Sequence, residues 1–372
     1  MFADIYRNKT VLVTGHTGFK GTWLTTWLLK LGAKVVGVSD IIPTQPSMFE
    51  KLGLEQQIEH HFIDVRDLAA IDALVQKCQP DFLFHLAAQP IVSTSYTDPV
   101  DTIATNVMGT THVMEALRRC QHDCVGIIIT SDKCYDNVEW VWGYKETDAV
   151  GGKDIYSGSK GAAELVFKSY FHSFFQPDSK FGTKADVRIA SGRAGNVIGG
   201  GDWAKDRIVV DCMQAWSEKK HVEIRSPEAT RPWQHVLEPL SGYLTLGMAL
   251  AKNKELHGES FNFGPSSEQN RSVINLLQDL SQYWDFKSPD EAYKVTDNIP
   301  FHEAGLLKLN CDKALFHTGW RPTLAYDDTI RFVSEWYYKY YTEQAADMNA
   351  MTVAQIAEYE QSAERGGIVW TK

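Results

Sequence analysis

Six cysteines in 372 residues, none in a C-x-x-C pair and none grouped with histidine at zinc-site spacing, leave neither a disulfide framework nor a zinc site to build on. Cys78, Cys120, Cys124, Cys134, Cys212 and Cys311 read as reduced, mostly buried thiols, and no metal is expected. The chain also lacks any run of about 18 apolar residues, so no membrane-spanning helix and no membrane partner are expected. Met1 to Asn8 is polar and leads straight into a first strand instead of a secretion signal, which points to a cytoplasmic protein. Positive charge is short as well. With 37 Lys and Arg against 47 Asp and Glu, the formal net charge of −10 argues against a nucleic-acid surface, and any anionic ligand must meet local arginines. There is no internal repeat. A hydrophobic content of 44% at this length does allow a doubly wound α/β domain with a smaller second one.

The stretch Thr10 to Gly21 organises the chain. Thr-Val-Leu-Val-Thr suits a buried parallel strand; Gly15, Gly18 and Gly21 follow, and Trp23, Leu24, Trp27, Leu28 and Leu31 continue as an apolar helical pattern. A strand, tight turn and helix in this order aims free N–H groups and a helix dipole at one spot, where a pyrophosphate can approach glycine backbone. The turn residues His16, Thr17, Phe19 and Lys20 belong to the same expected cofactor contact. Lys34 to Asp40 reads as the second strand. Asp40 at its end, about 20 residues past the glycines, suits the ribose hydroxyls of NAD, whereas NADP calls for an arginine.

Pro43 and Pro46 then introduce a flap with a short helix. His61 to Val65 reads as the third strand, which brings Asp64 and Val65 beside the adenine; a solvated Asp64 before Arg66 is the alternative. Leu68 to Gln79 is a crossover helix and Asp81 to Ala88 a fourth strand. Leu86, Ala87, Ala88 and Gln89 end it where ligands bind in open α/β sheets. A long helix is expected from Asp98 through Leu117, with Asn106 bonding backbone, and an apolar central strand over Cys124 to Thr130.

Thr130 to Tyr135 delivers Ser131, Asp132 and Lys133 to the same sheet edge. Tyr156 and Lys160 stand four apart and share one face of the helix that follows. A tyrosine beside an ammonium and a cationic nicotinamide has its ionised form favoured; reaching neutrality takes about three pKa units, or about 4 kcal/mol. Ala185 to Ser191 is the sixth strand. From Gly192 the glycine-rich Gly-Arg193-Ala-Gly-Asn196-Val-Ile-Gly-Gly-Gly201-Asp202-Trp203 opens a second lobe. Arg207, Arg231 and Lys308, taken together, favour a diphosphate site, though each alone suits a surface ion pair. His235 to Lys252 is helical, and Glu259 to Gly264 a strand that returns to the first domain. The expected division is 1–192 plus about 235–265 for cofactor, and about 193–234 plus 266–372 for substrate. Lys313 to Tyr341 is helical with a turn at Trp320-Arg-Pro. The tail carries Thr352 as an N-cap, with Ile356 and Tyr359 on one face.

The set Gly15/Gly18/Gly21, Asp40, Ser131 and Tyr156/Lys160 resembles the extended short-chain dehydrogenase/reductase superfamily over nearly the whole chain. The resemblance implies a doubly wound parallel Rossmann sheet with a smaller, discontinuous C-terminal domain, NAD as cofactor, and a homodimer or homotetramer. Epimerases of the superfamily lack ionisable residues after the Ser131 position, whereas nucleotide-sugar 4,6-dehydratases carry an Asp-Glu pair. Here the pair is Asp132-Lys133. With Gly201-Asp202-Trp203 and Arg231-Pro-Trp-Gln-His235, this resembles dehydratases that act on CDP-D-glucose and open 3,6-dideoxyhexose biosynthesis for O-antigen lipopolysaccharide. The resemblance implies Tyr156 as base at the C4 hydroxyl, Ser131 on O4, Lys133 as base at C5, Asp132 as acid to O6, and Lys160 on the ribose. It places substrate against Gln89, Arg193, Asn196, Asp202, Trp203, Arg207, Arg231, His235 and Lys308. A dehydratase or epimerase for another nucleotide-sugar is the near alternative, and a non-catalytic NAD-sensing protein the distant one.

Overall fold

The structure, a computed structural model, describes residues 1–224, 226–266, 268–296, 306–343 and 345–372. Strand and helix alternate from the start: β1 (Thr10–Thr14), α1 (Phe19–Lys30), β2 (Lys34–Ser39), α2 (Met48–Lys51), β3 (Glu59–Phe62), α3 (Leu68–Cys78) and β4 (Phe82–His85). Then come α4 (Val92–Thr97), α5 (Pro99–Ile103), α6 (Gly109–Arg118), β5 (Cys124–Ile129), α7 (Ile155–Tyr170) and β6 (Val187–Arg193). The remainder holds β7 (Val197–Ile198), α8 (Ile208–Ser217), β8 (Val222–Ile224), β9 (Thr230–Arg231), β10 (Gln234–His235), α9 (Leu237–Lys252) and β11 (Ser260–Asn262). It ends with β12 (Arg271–Ser272), α10 (Val273–Ser281), β13 (Tyr293–Val295), α11 (Asp312–Thr318), α12 (Tyr326–Thr342) and α13 (Met348–Arg365).

Seven strands form one sheet in the order β11-β6-β5-β4-β1-β2-β3, with every neighbouring pair parallel. The chain steps from β1 out to β2 and β3, then crosses to β4 on the other side of β1, so connections diverge between β1 and β4 and open a crevice at the carboxyl edge. The fully buried, apolar β4 and β5 occupy the interior of the sheet, as strands covered on both faces must. Glu259 to Gly264 supplies β11, which pairs in register Ser260 to Ser191, Phe261 to Gly192 and Asn262 to Arg193.

Four local expectations shift. The third strand is Glu59–Phe62 instead of His61 to Val65, because it is an edge strand with Phe62 turned to solvent, and Ile63 to Asp67 leads into the Asp67 cap of α3. The long helix through Asn106 is interrupted by a π-helical turn, Ala104–Met108, which turns Asn106 inward. Asn106 does bond backbone, through Gln89 N (2.8 Å) and Gln89 O (3.1 Å), and also reaches Ser159 Oγ at 2.8 Å. The sixth strand runs on through Gly192 and Arg193, since β11 continues its ladder there. Thr352 is not an N-cap: Asp347 caps α13 by accepting from Ala350 N, while Thr352 lies a turn further in and bonds back to Met348 O.

The tail lies on α1. Trp27 Nε1 donates to Glu360 Oε1 at 2.8 Å, Lys30 pairs with the same carboxylate, and Trp370 stacks on Phe2 with ring centroids 4.8 Å apart. This cover explains why α1 is buried from Gly21 to Leu28 rather than along one stripe.

Candidate active site

The glycine turn closes on itself by direct backbone contact. A Cβ on Gly21 would stand 2.0 Å from Gly15 O, and one on Gly15, at φ +75°, 2.7 Å from Ala87 N; a Cβ on Gly18 would meet only Gly15 O at 3.4 Å. Gly15 and Gly21 are therefore fixed by packing, whereas Gly18 leaves an open face in front of α1. No side chain caps that helix, so its first-turn N–H groups face outward as an anion site does. Asp40 sits exposed at the end of β2, its Oδ1 accepting the adjacent Ile41 N. The turn and Asp40 fit a dinucleotide on these grounds.

Several other expected cofactor residues also brace the turn and the strand ends around it. The His16 ring is fully buried between Ser39 Oγ (3.0 Å) and His60 Nδ1 (2.7 Å), and burial lowers its pKa to about 4. Thr17 Oγ1 donates to Ile41 O. Leu86 N and Ala87 N both donate to Thr14 Oγ1 at 3.1 Å, while Ala88 stays half-buried at the same edge. Phe19, also half-buried, comes close to Gly199. Val65 is buried and its carbonyl accepts from His112. Asp64 is engaged by Arg66 at 2.6 Å, which holds its carboxyl below the usual range, and a third of its side chain stays exposed.

After β5, Ser131 opens a short 3₁₀ turn, Asp132–Cys134. Ser131 Oγ donates to Asp132 Oδ1 at 3.0 Å, and Lys133 Nζ lies 3.7 Å from the same oxygen. Asp132 is 2% exposed, whereas the Lys133 side chain is 37% exposed. α7, capped by Asp154 on Ser157 N, presents Tyr156 and Lys160 to this turn, both buried. Burial raises Tyr156 to about 12 despite its hydrogen bond to Ser131, and it lowers Lys160 to about 8. The expected activation of Tyr156 by Lys160 is thus outweighed in the protein alone, because desolvating a phenolate costs more than its neighbours return. Lys20 is likewise lowered to about 8, first by burial and then by the nearby Arg207, Lys160 and Lys133. Lys20, Lys133, Lys160 and Arg207 thus share one neighbourhood, with Asp132 beside Lys133 and Asp202 beside Arg207.

A cleft at this cluster is lined by Asp132, Asn196, Gln234, Asn270 and Lys308. Asn196 Nδ2 donates to Asp132 Oδ2 at 3.4 Å. Arg207 Nη1 donates to Asp202 Oδ2 at 2.6 Å while its charge acts on Tyr156, so Asp202 holds Arg207. Arg231 precedes the cleft residue Pro232 and donates to Thr230 O. Gln89 is committed to Ile91 and Thr102 Oγ1.

Three expected substrate residues belong to the interior. Arg193 is fully buried and donates to Glu164 Oε2 at 2.6 Å and to Tyr135 Oη at 2.7 Å. Trp203 is buried among Trp336, Tyr337 and Tyr340 and donates to Tyr341 Oη. His235 is fully buried between Trp23 and Phe332, with its pKa lowered to about 3 by burial. Its neighbour Gln234 lines the cleft instead, because successive residues of β10 point to opposite faces. Sequence reasoning missed Gln234 and Gly195; period-two alternation around His235 was the available signal for the first. Among the described residues no group of His, Cys, Asp and Glu could hold a metal ion.

A doubly wound parallel sheet with an open glycine turn at its switch point, and a Ser–Tyr–Lys set across the crevice, defines the extended short-chain dehydrogenase/reductase class. Within it the chain belongs to the GDP-mannose 4,6 dehydratase family, whose model matches residues 12–333. It is 42% identical over 364 residues to the CDP-glucose 4,6-dehydratase of Salmonella typhimurium, covering 97% of this chain and 99% of that protein. It is 25% identical to a dTDP-glucose 4,6-dehydratase of Xanthomonas campestris, over 88% and 93% of the two chains. The fold is shared with dTDP-glucose 4,6-dehydratase from Streptomyces venezuelae, solved with NAD and TYD (TM-score 0.75, 17% identity, 90% and 99% covered). It is shared too with UDP-glucuronic acid 4-epimerase from Bacillus cereus (TM-score 0.73, 21% identity, 89% and 99% covered).

Proposed function

We propose that this chain converts CDP-D-glucose to CDP-4-dehydro-6-deoxy-D-glucose and water. The observation that carries the reading is the gathering of Ser131, Lys133 and Tyr156 around Asp132, which lines the cleft, in a chain 42% identical to a CDP-glucose 4,6-dehydratase. The glycine turn, the first turn of α1 and Asp40 would hold NAD, with Lys160 on its ribose. When bound, NAD⁺ would supply a hydride acceptor at C4, the returning hydride at C6, and a positive charge beside Tyr156.

Tyr156 takes the C4 hydroxyl proton while Ser131, already hydrogen-bonded to it, orients O4. The C4 ketone acidifies C5–H. Lys133, the more exposed member of the pair, reaches the sugar and removes that proton, and the buried Asp132 gives its proton to O6 so that water departs. A proton then returns to C5, and the redox state is unchanged over the cycle. Arg207, Arg231 and Lys308 offer positive charge to the diphosphate. Asp202, through Arg207, and Gln89, through Ile91, support the substrate side.

The chain divides into a cofactor part, 1–192 plus about 235–265, and a substrate part, about 193–234 plus 266–372, which α13 ties together by lying on α1. We place it in the cytoplasm as a homodimer or homotetramer. Its six free thiols stay reduced there.

The test is product analysis with CDP-, dTDP-, UDP- and GDP-linked hexoses. Loss of one water from CDP-D-glucose in preference to the others is expected. Preference for another nucleotide overturns the substrate, isomerisation without water loss indicates an epimerase, and binding without turnover indicates a sensor. NAD⁺ should bind more tightly than NADP⁺, since Asp40 repels a 2′-phosphate; equal affinities in a titration would remove Asp40 from that role.

A further inference from the structure

Asp132 is held from the far side by a backbone elbow that the reaction scheme does not use. At Gly195 the position of a Cβ is already filled by the Asp132 carboxyl: the added atom would lie 1.8 Å from Oδ2 and 2.0 Å from the carboxyl carbon. The next residue, Asn196, adopts the left-handed region at φ +53° and turns its amide onto the same oxygen, Nδ2 to Oδ2 at 3.4 Å. Few non-glycine residues accept that conformation, and asparagine is among those that do. The elbow is fixed in turn by Gln234, whose Nε2 donates to Gly195 O at 2.9 Å and to Phe263 O at 3.1 Å, and whose backbone N donates to Asn196 O at 3.2 Å. Gln234 is 1% exposed, so this clamp is shielded from water.

The geometry points to Gly195, Asn196 and Gln234 as positioning residues that set where the Asp132 carboxyl sits relative to the sugar, and so govern water elimination separately from C4 oxidation. Ser131 Oγ fixes Oδ1 on one side and Asn196 Nδ2 engages Oδ2 on the other, leaving the carboxyl little freedom to rotate. Gly195 closes the remaining direction by backbone contact. Oxidation at C4 depends on Tyr156 and Ser131, which the elbow reaches through Asp132 rather than by direct hydrogen bonds. This inference rests on the dehydratase reading, in which Asp132 is the acid to O6.

The experiment is rapid mixing of the NAD-loaded holoenzyme with CDP-D-glucose, following cofactor reduction by absorbance, water loss by quenched mass analysis, and solvent-deuterium entry at C5. In Gly195→Ala the carboxyl must retreat by more than an ångström, and a misplacement of that size slows a positioned step by about 10²-fold. The expected result is reduced cofactor accumulating at near the parent rate, with water loss about 10²-fold slower and NAD content and melting temperature close to the parent's. Asn196→Gly keeps the left-handed backbone and loses the amide contact, and should slow water loss roughly tenfold, the loss of one hydrogen bond. It carries the test if Gly195→Ala does not fold. If both steps slow together, or neither slows, the proposal falls. The unsubstituted chain separates the two readings: failure to reduce its cofactor with CDP-D-glucose removes the dehydratase reading and this inference with it. Normal turnover with an unchanged ratio in the variants removes the inference alone.

Discussion

At the scale of single residues, the dominant force in this site is desolvation. Tyr156 ionises near 12 in the protein alone, so its work as a base depends on positive charge arriving with the bound cofactor. Tyr156→Phe should bind NAD⁺ and CDP-D-glucose normally yet fail to reduce the cofactor, with turnover down by about 10³-fold, within the span that general-base removal commonly costs. Near-normal turnover by product assay removes Tyr156 from that role. Lys133→Ala should still reduce the cofactor but stall before water loss, with C5 hydrogen exchanging very slowly into solvent. Parent-rate exchange would pass the base role to Asp132 or a water. These residues were legible because their order along the chain, glycine turn, Ser131 and then Tyr156/Lys160, is itself the signal. Arg193 was not. Its partner Glu164 stands in a different element, and only the folded β6 against α7 shows that the guanidinium is spent on a buried carboxylate. Arg193→Met should therefore destabilise by about 3–5 kcal/mol in denaturant unfolding, because it strands Glu164 as an unpaired buried charge. A loss confined to KM would return Arg193 to the substrate.

Elements were legible where their period matched their burial, and misread where a partner distant in sequence overrode it. β1, β2, β4 and β5 fall where their apolar runs lie, whereas β6 extends through a glycine paired on both sides, by β5 and β11, and an arginine paired by β11. α13 is the larger surprise. Its helical face predicts a docking helix, but nothing local indicates α1 as the receptor or Glu238 of α9 as its polar anchor. Tyr359 Oη donates to Glu238 Oε2 at 2.9 Å, and the same carboxyl accepts from Thr323 N and Leu324 N. Burial raises Glu238 to about 7 even so. A carboxyl whose folded pKa exceeds its unfolded value of about 4.3 stabilises fully below that value and loses the contribution as pH rises towards 7, here about 3–4 kcal/mol. Melting temperature should therefore fall between pH 5 and pH 8 in the parent and fall less in Glu238→Gln, which keeps an acceptor for the backbone N–H groups. Parallel profiles would show that Glu238 does not titrate in this range.

For the whole molecule, three adjacent helices together expose a group of apolar side chains. Tyr96 on α4, Val100 and Ile103 on α5, and Ile155 and Leu165 on α7 are all at least 40% exposed, on helices that pack against one another. Apolar groups clustered in this way on adjacent helices mark an association surface more often than a solvated one. The chain's net charge of −10 opposes self-association at long range, so any stable dimer must be held by apolar contact over such a face, at separations where salt screens the repulsion. The expected assembly joins two copies through the face that α5, α6 and α7 form. Leu165→Glu places a charge in the middle of that face while leaving the buried side of α7, with Tyr156 and Lys160, untouched. In sedimentation at micromolar concentration the parent should run as a dimer or tetramer and the variant as a smaller species that remains folded by circular dichroism. A parent that sediments as a monomer, or a variant whose assembly is unchanged, would move the interface away from these helices.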